Sequence, residues 1–144
     1  MRIWFSTDLT LEQLNKGCES TMVTHCGIEI TQINEDSLVG TMPVDKRTVQ
    51  PYGILHGGAN CVLAETLGSI AANLTCDSAT HHAVGLSITT NHIKAIRNGF
   101  VKGVAKANHI GRTTQVWEIR TYNDADQLSS ITSLTMAIVA RLKK

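Results

Sequence analysis

Between residues 50 and 66 the chain reads QPYGILHGGANCVLAET, and its one acid, Glu65, stands among Cys61, Val62, Leu63, Ala64, Leu67 and Gly68. Read as a helix, the stretch puts Cys61 and Ser69 four residues from Glu65, and Val62 and Gly68 three away, so no cation lies within helical reach. An ionised carboxylate removed from water without a partner is costly. Such a group therefore faces a polar cavity, keeps its proton or collects hydrogen bonds. Each outcome suits an acid that performs chemistry. The alternative, a solvated helix face or a base brought from elsewhere in the fold, sits poorly with apolar neighbours.

Gly57 and Gly58 open the same stretch, where the first amide N–H groups of a helix have no intrahelical partner and the macrodipole favours negative charge. Glycine lets a substrate approach that backbone closely. A carbonyl oxygen placed there is polarised and, when attacked, stabilised as an oxyanion. Glu65 is eight positions further on, roughly 12 Å by helix rise. One carbonyl cannot reach both groups within a single chain, but two copies of the helix passing antiparallel bring them together. That geometry predicts a homodimer with sites shared across its interface.

The elements that must hold these groups are legible in outline. Thr10 followed by Gln13 has the form of a capping box, and Leu11 and Leu14 supply an apolar stripe, so a short helix is expected over 10–18. GIEITQINEDSLVGTMPV reads as two strands around a turn at Asn34, Glu35 and Asp36. GGANCVLAETLGSIAANLT, rich in Ala and Leu and free of proline, predicts a helix of about 18 residues, with apolar positions nearly all round and hence buried. AVGLSITTNHIKAI, FVKGVAKANH, TTQVWEIRTYN and LSSITSLTMAIVARL read as four long strands separated by the turn sequences NG, HIGR and NDAD. Short turns make them antiparallel neighbours. The expected class is α+β, a strongly twisted antiparallel sheet wrapped around one long central helix.

At 144 residues, with 42% hydrophobic content and two prolines, the chain is expected to form a single domain, 1–144, with a core that needs no staples. Its apolar runs fall short of the roughly 18 residues of a membrane span, and MRIWFSTDLT lacks a signal peptide's apolar core, so a cytoplasmic protein is expected. Cys18, Cys26, Cys61 and Cys76 show no metal or disulfide spacing and read as reduced, mostly buried thiols. His81 and His82 follow Asp77 without a third ligand, and no metal is expected. The net charge of +1 hides an uneven distribution: Lys94, Arg97, Lys102, Lys106 and Arg112 lie in a span with no acid, a local charge of +5. Only Phe100 interleaves with them, which argues against nucleic acid. G-x-S-x-G, P-loop and dinucleotide fingerprints are absent.

QPYGILHGGANCVLAETLGS, with TMPVDKRTVQP, VGLSITTNHIKA and HIGRTTQVWEI, resembles the hotdog-fold acyl-CoA thioesterases. The similarity is to the branch that handles aromatic acyl groups, which includes 1,4-dihydroxy-2-naphthoyl-CoA hydrolase and the enterobactin-pathway proofreading thioesterase. It runs from about Thr10 to Val139, and its specificity rests on His56, the glycine pair, a glutamate nine residues after that histidine, and the preceding Gln50-Pro51. The resemblance implies Glu65 as nucleophile or general base and Gly57 as backbone donor to the thioester oxygen. Gln50 and His56 would position that oxygen, and Ser69 would support the hydrolytic water or intermediate. The residue types fit, because a carboxylate can attack a thioester or deprotonate water, and thiolate leaves without a strong acid. It further implies that Gly85, the run His92, Ile93, Lys94, Ala95, and the turn His109, Ile110, Gly111, Arg112, Thr113, Thr114 line the CoA groove. The pyrophosphate and ribose phosphate of CoA suit an acid-free span. Plainer roles stand beside these: Gln50 satisfying loop backbone, His56 capping the helix, Ser69 bonding back to helix carbonyls, Lys102 and Lys106 solubilising strand faces.

The expected activity is therefore hydrolysis of an acyl-CoA thioester to free acid and CoA, with no cofactor beyond the CoA carried by the substrate. A second copy of the chain is the expected partner, extending to a dimer of dimers, with acyl or aryl carrier proteins as a further thioester source and a place in menaquinone biosynthesis. Two rival classes are a non-catalytic acyl-CoA binding module and a hotdog dehydratase acting on carrier-bound chains. The dehydratase would need a histidine to partner its acid, whereas QPYGILHGG is the thioesterase pattern.

Overall fold

The computed structural model describes residues 1–142. In chain order the elements are α1 (Leu11–Gly17), α2 (Met22–His25), β1 (Glu29–Ile33), β2 (Ser37–Pro43), α3 (Gly57–Leu74), β3 (His81–His92), β4 (Phe100–Ile110), β5 (Thr114–Tyr122) and β6 (Leu128–Ala140). The capping box at α1 forms as its residues dictate, with the Thr10 hydroxyl accepting from Gln13 N–H and the Gln13 side chain accepting from Thr10 N–H, both at 3.2 Å. α2 was not expected; it is one turn capped by Thr21, too short to leave a periodic signal.

All six strands pair antiparallel in one sheet, in the order β1-β2-β4-β5-β6-β3. β3 and β4 are consecutive but not neighbours, contrary to the expectation from the NG turn. Residues 93–99 pass instead over β6 and β5 to reach β4 in the interior of the sheet, held by Ile93 and Lys94 N–H groups donating to Ser129 O at 2.7 and 3.0 Å. β3 ends as an edge strand beside β6.

α3 packs across one face of the sheet. Leu63, Ala64, Leu67, Ala71 and Ala72 are fully buried against Leu38, Met42, Val101, Trp117, Ile119, Leu134 and Met136, all in one core. Each such leucine contributes about 1.5–3 kcal/mol through burial. The helix comes close because Gly40 and Gly103 are cross-strand partners beneath Leu67: a Cβ on either would stand 2.7 or 2.5 Å from a Leu67 methyl. The opposite side of α3, through Val62, Glu65, Thr66, Ser69 and Ile70, is half-buried in the single chain, so the expectation of burial all round fails. One sheet can cover only one face of a helix. The cysteines follow the same logic: Cys26 is buried, whereas Cys18, Cys61 and Cys76 are half-buried. Among the described residues no helix is long and apolar enough to cross a membrane.

Candidate active site

The approach to α3 is a folded loop. Asp45 anchors it, accepting from Arg47 N–H at 2.9 Å and from the Arg47 guanidinium at 2.6 Å. Those bonds to Arg47 hold the Asp45 carboxyl down from the ordinary 3.8 to about 2. Buried Thr48 donates to Pro43 O at 2.7 Å and its own carbonyl accepts from His56 N–H at 2.8 Å. Between them Gln50, Pro51, Tyr52 and Gly53 make a tight turn, closed by Gly53 N–H to Gln50 O at 2.9 Å, with Gly53 at φ +75°. The Gln50 Oε1 accepts from Tyr52 N–H. The plainer role expected for Gln50 is thus real, but it occupies only the oxygen and leaves the Nε2 hydrogens to donate elsewhere.

His56 is the N-cap of α3: its Nδ1 accepts from Gly58 N–H at 2.8 Å, which places the ring proton on Nε2. The Gly57 N–H, next to it, has no hydrogen-bond partner among the described residues. His92 closes over this glycine, its Nε2 only 2.9 Å from where a Cβ would stand. A cavity of about 280 Å³ opens here, lined by Gln50, Gly57 and Asn60 on one side and by His92, Ile93, Lys94 and Ala95 on the other. Two sets of residues singled out separately in the sequence thus share one cavity. Its floor is Leu55 and Ile96, both buried.

Glu65 faces a different cavity, of about 350 Å³, with Met22, Val23, Cys61, Val62, Thr66 and Ile88. Its Oε1 accepts from the Ser69 hydroxyl at 3.2 Å and lies directly against Gly85, so close that a Cβ there would overlap it. Ser69 therefore bonds the acid and not the helix carbonyls. Cys61, one turn before Glu65, donates to Thr90 Oγ1 at 3.3 Å.

The remaining positions fall elsewhere. In the β4–β5 turn, Gly111 N–H donates to Thr114 O at 3.0 Å and Thr113 O accepts from Ile138 N–H at 2.9 Å. Ile110, Gly111 and Arg112 line a third cavity of about 220 Å³ with Cys76, Asp77 and His81, and a Cβ on Gly111 would meet His109 Nε2 at 2.5 Å. Within one chain, then, Gly85, the His92–Ala95 run and the His109–Thr114 turn stand at three places and not along one groove. Lys102 and Lys106 pair with Asp126 and Asp36, while Lys94, Arg97 and Arg112 form no salt bridge among the described residues. The sequence reading passed over Asn60, Met22 and Val23; for Asn60 a signal existed, a polar residue three positions after Gly57 and so on its face of the helix.

The arrangement offers two kinds of chemistry on one helix. At its start, unpaired donors face a cavity that Lys94 also lines; two turns later, a carboxylate held by a hydroxyl faces an apolar cavity. Donors at the first would polarise a carbonyl, and the acid at the second would attack it or activate water.

Known proteins of the same build point the same way. Residues 52–130 match the family model described as "Thioesterase superfamily". The 1,4-dihydroxy-2-naphthoyl-CoA hydrolase of Escherichia coli is 44% identical over 137 residues, 95% of this chain and 99% of that protein. The proofreading thioesterase EntH of Cronobacter turicensis is also 44% identical, over 95% of this chain and 98% of that one. Among solved structures, a thioesterase of Haemophilus influenzae superposes with a TM-score of 0.94 at 41% identity, covering 98% of this chain and 97% of the other.

Proposed function

From the premise that this chain belongs to the thioesterase superfamily and has its hotdog fold, we propose that it hydrolyses an aromatic acyl-CoA, 1,4-dihydroxy-2-naphthoyl-CoA or a benzoyl-CoA relative, to the free acid and CoA. The observation that carries this reading is the division of labour along α3, with the free Gly57 N–H in one cavity and the Ser69-bound Glu65 in another. The name of one relative at 44% identity, 1,4-dihydroxy-2-naphthoyl-CoA hydrolase, supports the aromatic acyl class.

The thioester oxygen accepts from Gly57 N–H at the positive end of α3, and Gln50 Nε2, freed by the bond its oxygen makes to Tyr52, is a second donor to it. His56 acts through its cap, holding Gly58 and so fixing the direction of the Gly57 N–H. Glu65 comes from the partner chain. It either adds its carboxylate oxygen to the thioester carbon, expelling CoA thiolate and leaving a mixed anhydride that water cleaves, or removes a proton from the water that adds. Both routes consume one water and give acid and thiol, and Ser69 steadies the carboxylate in each. The unpaired edge of β3, which exposes Val84, Leu86 and Ile88, supports a dimer in which two copies continue the sheet and bring the half-sites together. Lys94 at the rim and Arg112 in the turn suit the phosphates of CoA.

The test is release of free thiol from a panel of benzoyl-, naphthoyl- and aliphatic acyl-CoAs, beside Glu65→Ala and Glu65→Asp. Turnover fastest on aromatic acyl groups and lost in Glu65→Ala is expected. Binding of several acyl-CoAs without thiol release would favour the binding-module class, and full activity in Glu65→Ala would remove Glu65 from its role. In a single turnover in H₂¹⁸O, label in Glu65 demonstrates the anhydride, since water that cleaves it on the Glu65 side leaves its oxygen there, whereas label in the product acid alone is common to both routes.

A further inference from the structure

Glu65, Ser69 and Asn73 follow one another at four-residue steps along one face of α3. The first two are already joined by a hydrogen bond, and the third reaches across to the sheet. Asn73 Nδ2 donates to Ser69 O at 2.9 Å and to Ala83 O at 3.1 Å, while its Oδ1 accepts from Ala83 N–H at 2.9 Å. Both hydrogens and the oxygen of the carboxamide are thus engaged. Ala83 stands opposite Ile138 of β6, but the Ile138 N–H donates to Thr113 O on its other side, so the Ala83 backbone groups point to the free edge of β3. There the carboxamide takes the place of a neighbouring strand. Among the described residues, Ala83 is the one position of β3 whose backbone a side chain bonds in this way.

Ala83 precedes Gly85 by two residues, and the register shift of β3 comes only after Gly85, so both positions face α3. Gly85 lies against Glu65 Oε1 and Ala83 is bonded to Asn73, which joins strand and helix at two successive inward positions. The Gly85 contact limits only how near the two can come. The directional bonds at Ala83 fix where the strand sits, and the same carboxamide holds the Ser69 carbonyl in the turn whose hydroxyl steadies Glu65. We propose that Asn73 is a positioning residue for hydrolysis, its carboxamide clamping the edge of β3 to α3 and so setting how Gly85 meets the Glu65 carboxylate. An acid moved off its line of attack loses rate while substrate binding persists, so the clamp acts on kcat. The inference rests on the thioesterase reading and deepens it.

Steady-state kcat and KM on the best acyl-CoA of the panel, for the wild type, Asn73→Ala, Asn73→Asp, Gly85→Ala and the Asn73→Ala, Gly85→Ala double variant, test it. In Asn73→Ala kcat should fall about tenfold with KM within about twofold. Asn73→Asp keeps the acceptor and loses both donors, so it should fall at least as far; thermal melts report folding, and if Asn73→Ala does not fold, Asn73→Asp decides. The double variant should be no slower than Gly85→Ala by more than about twofold, because releasing the strand makes room for the added Cβ; a purely structural role would multiply the two losses. By NMR, exchange of the Ala83 amide should be at least about tenfold faster in Asn73→Ala. Unchanged kcat in both single Asn73 variants, a change confined to KM, multiplied losses in the double variant, or Ala83 exchange unaltered by Asn73→Ala each overturns the proposal while the thioesterase reading stands. A wild type that releases thiol from no acyl-CoA removes that reading and this one together, even where Ala83 exchange responds.

Discussion

Glu65 and Ser69 are one turn apart on α3, and the 3.2 Å bond between them fixes which way the acid faces. Glu65→Gln keeps the shape and loses the charge, so thiol release should drop by about 10³-fold with the melting temperature little changed. Ser69→Ala should cost about tenfold, read as kcat, because it frees the carboxylate without removing it. Away from the site, Asp45 makes a pH prediction. Its pKa is pulled from 3.8 to about 2, chiefly by hydrogen bonds from Arg47. Unfolding releases that pull, so the stabilisation is present above pH 3.8 and disappears as pH falls through about 2. Urea midpoints of wild type and Asp45→Asn should differ modestly at neutral pH, the pair being exposed, and converge toward pH 2; a gap that persists there would assign it to something other than the charge.

At the scale of elements, the register shift in β3 between Gly85 and Ser87 decides what faces the helix. Without it, the strand's two-residue alternation would carry Gly85 and Ile88 to opposite faces. With it, Gly85 touches Glu65, Ile88 lines its cavity, Thr90 takes the Cys61 bond and His92 covers Gly57. Gly85→Ala therefore tests placement more than stability: the atom in its way is the end of a flexible side chain, so activity should fall up to about 10²-fold while the melting temperature holds. Gly103→Ala is the opposite case. Its Cβ would meet Leu67, fully buried between sheet and helix, and the expected loss is about 1–3 kcal/mol by denaturant unfolding.

For the molecule as a whole, the position of β3 matters most. Twelve residues long and bonded to β6 on one side only, it leaves a hydrophobic edge that a soluble sheet usually covers. A second copy of the chain would cover it and would also add the missing half of each site. Leu86→Lys, at a residue 63% exposed in the single chain, should leave the fold intact, shift the protein to monomer by sedimentation velocity, and abolish turnover with it. A fully active monomer would overturn the shared site.

Much of this was legible in the residues themselves. The α1 cap, the 18-residue α3, the alternation that buries Gln115, Trp117, Ile119 and Thr121 in β5, and the isolation of Glu65 all arise from neighbours along the chain. The Gly57–Glu65 separation needs only helix rise, and it already called for a second copy of the helix to complete the site. What the residues could not specify is whatever depends on a distant partner. Local sequence shows that 81–92 is a strand but not that it crosses to β6, because ladder bonds are the same between any two strands. Nor does it show that Gln50 commits its oxygen to Tyr52, or that Asn60 is sealed beneath Gly57 with its acceptor unpaired. Residue type and spacing determined which groups could react; the non-local pairing of strands decided which of them meet, since burial and hydrogen-bond satisfaction are properties of the assembled surface and not of the segment.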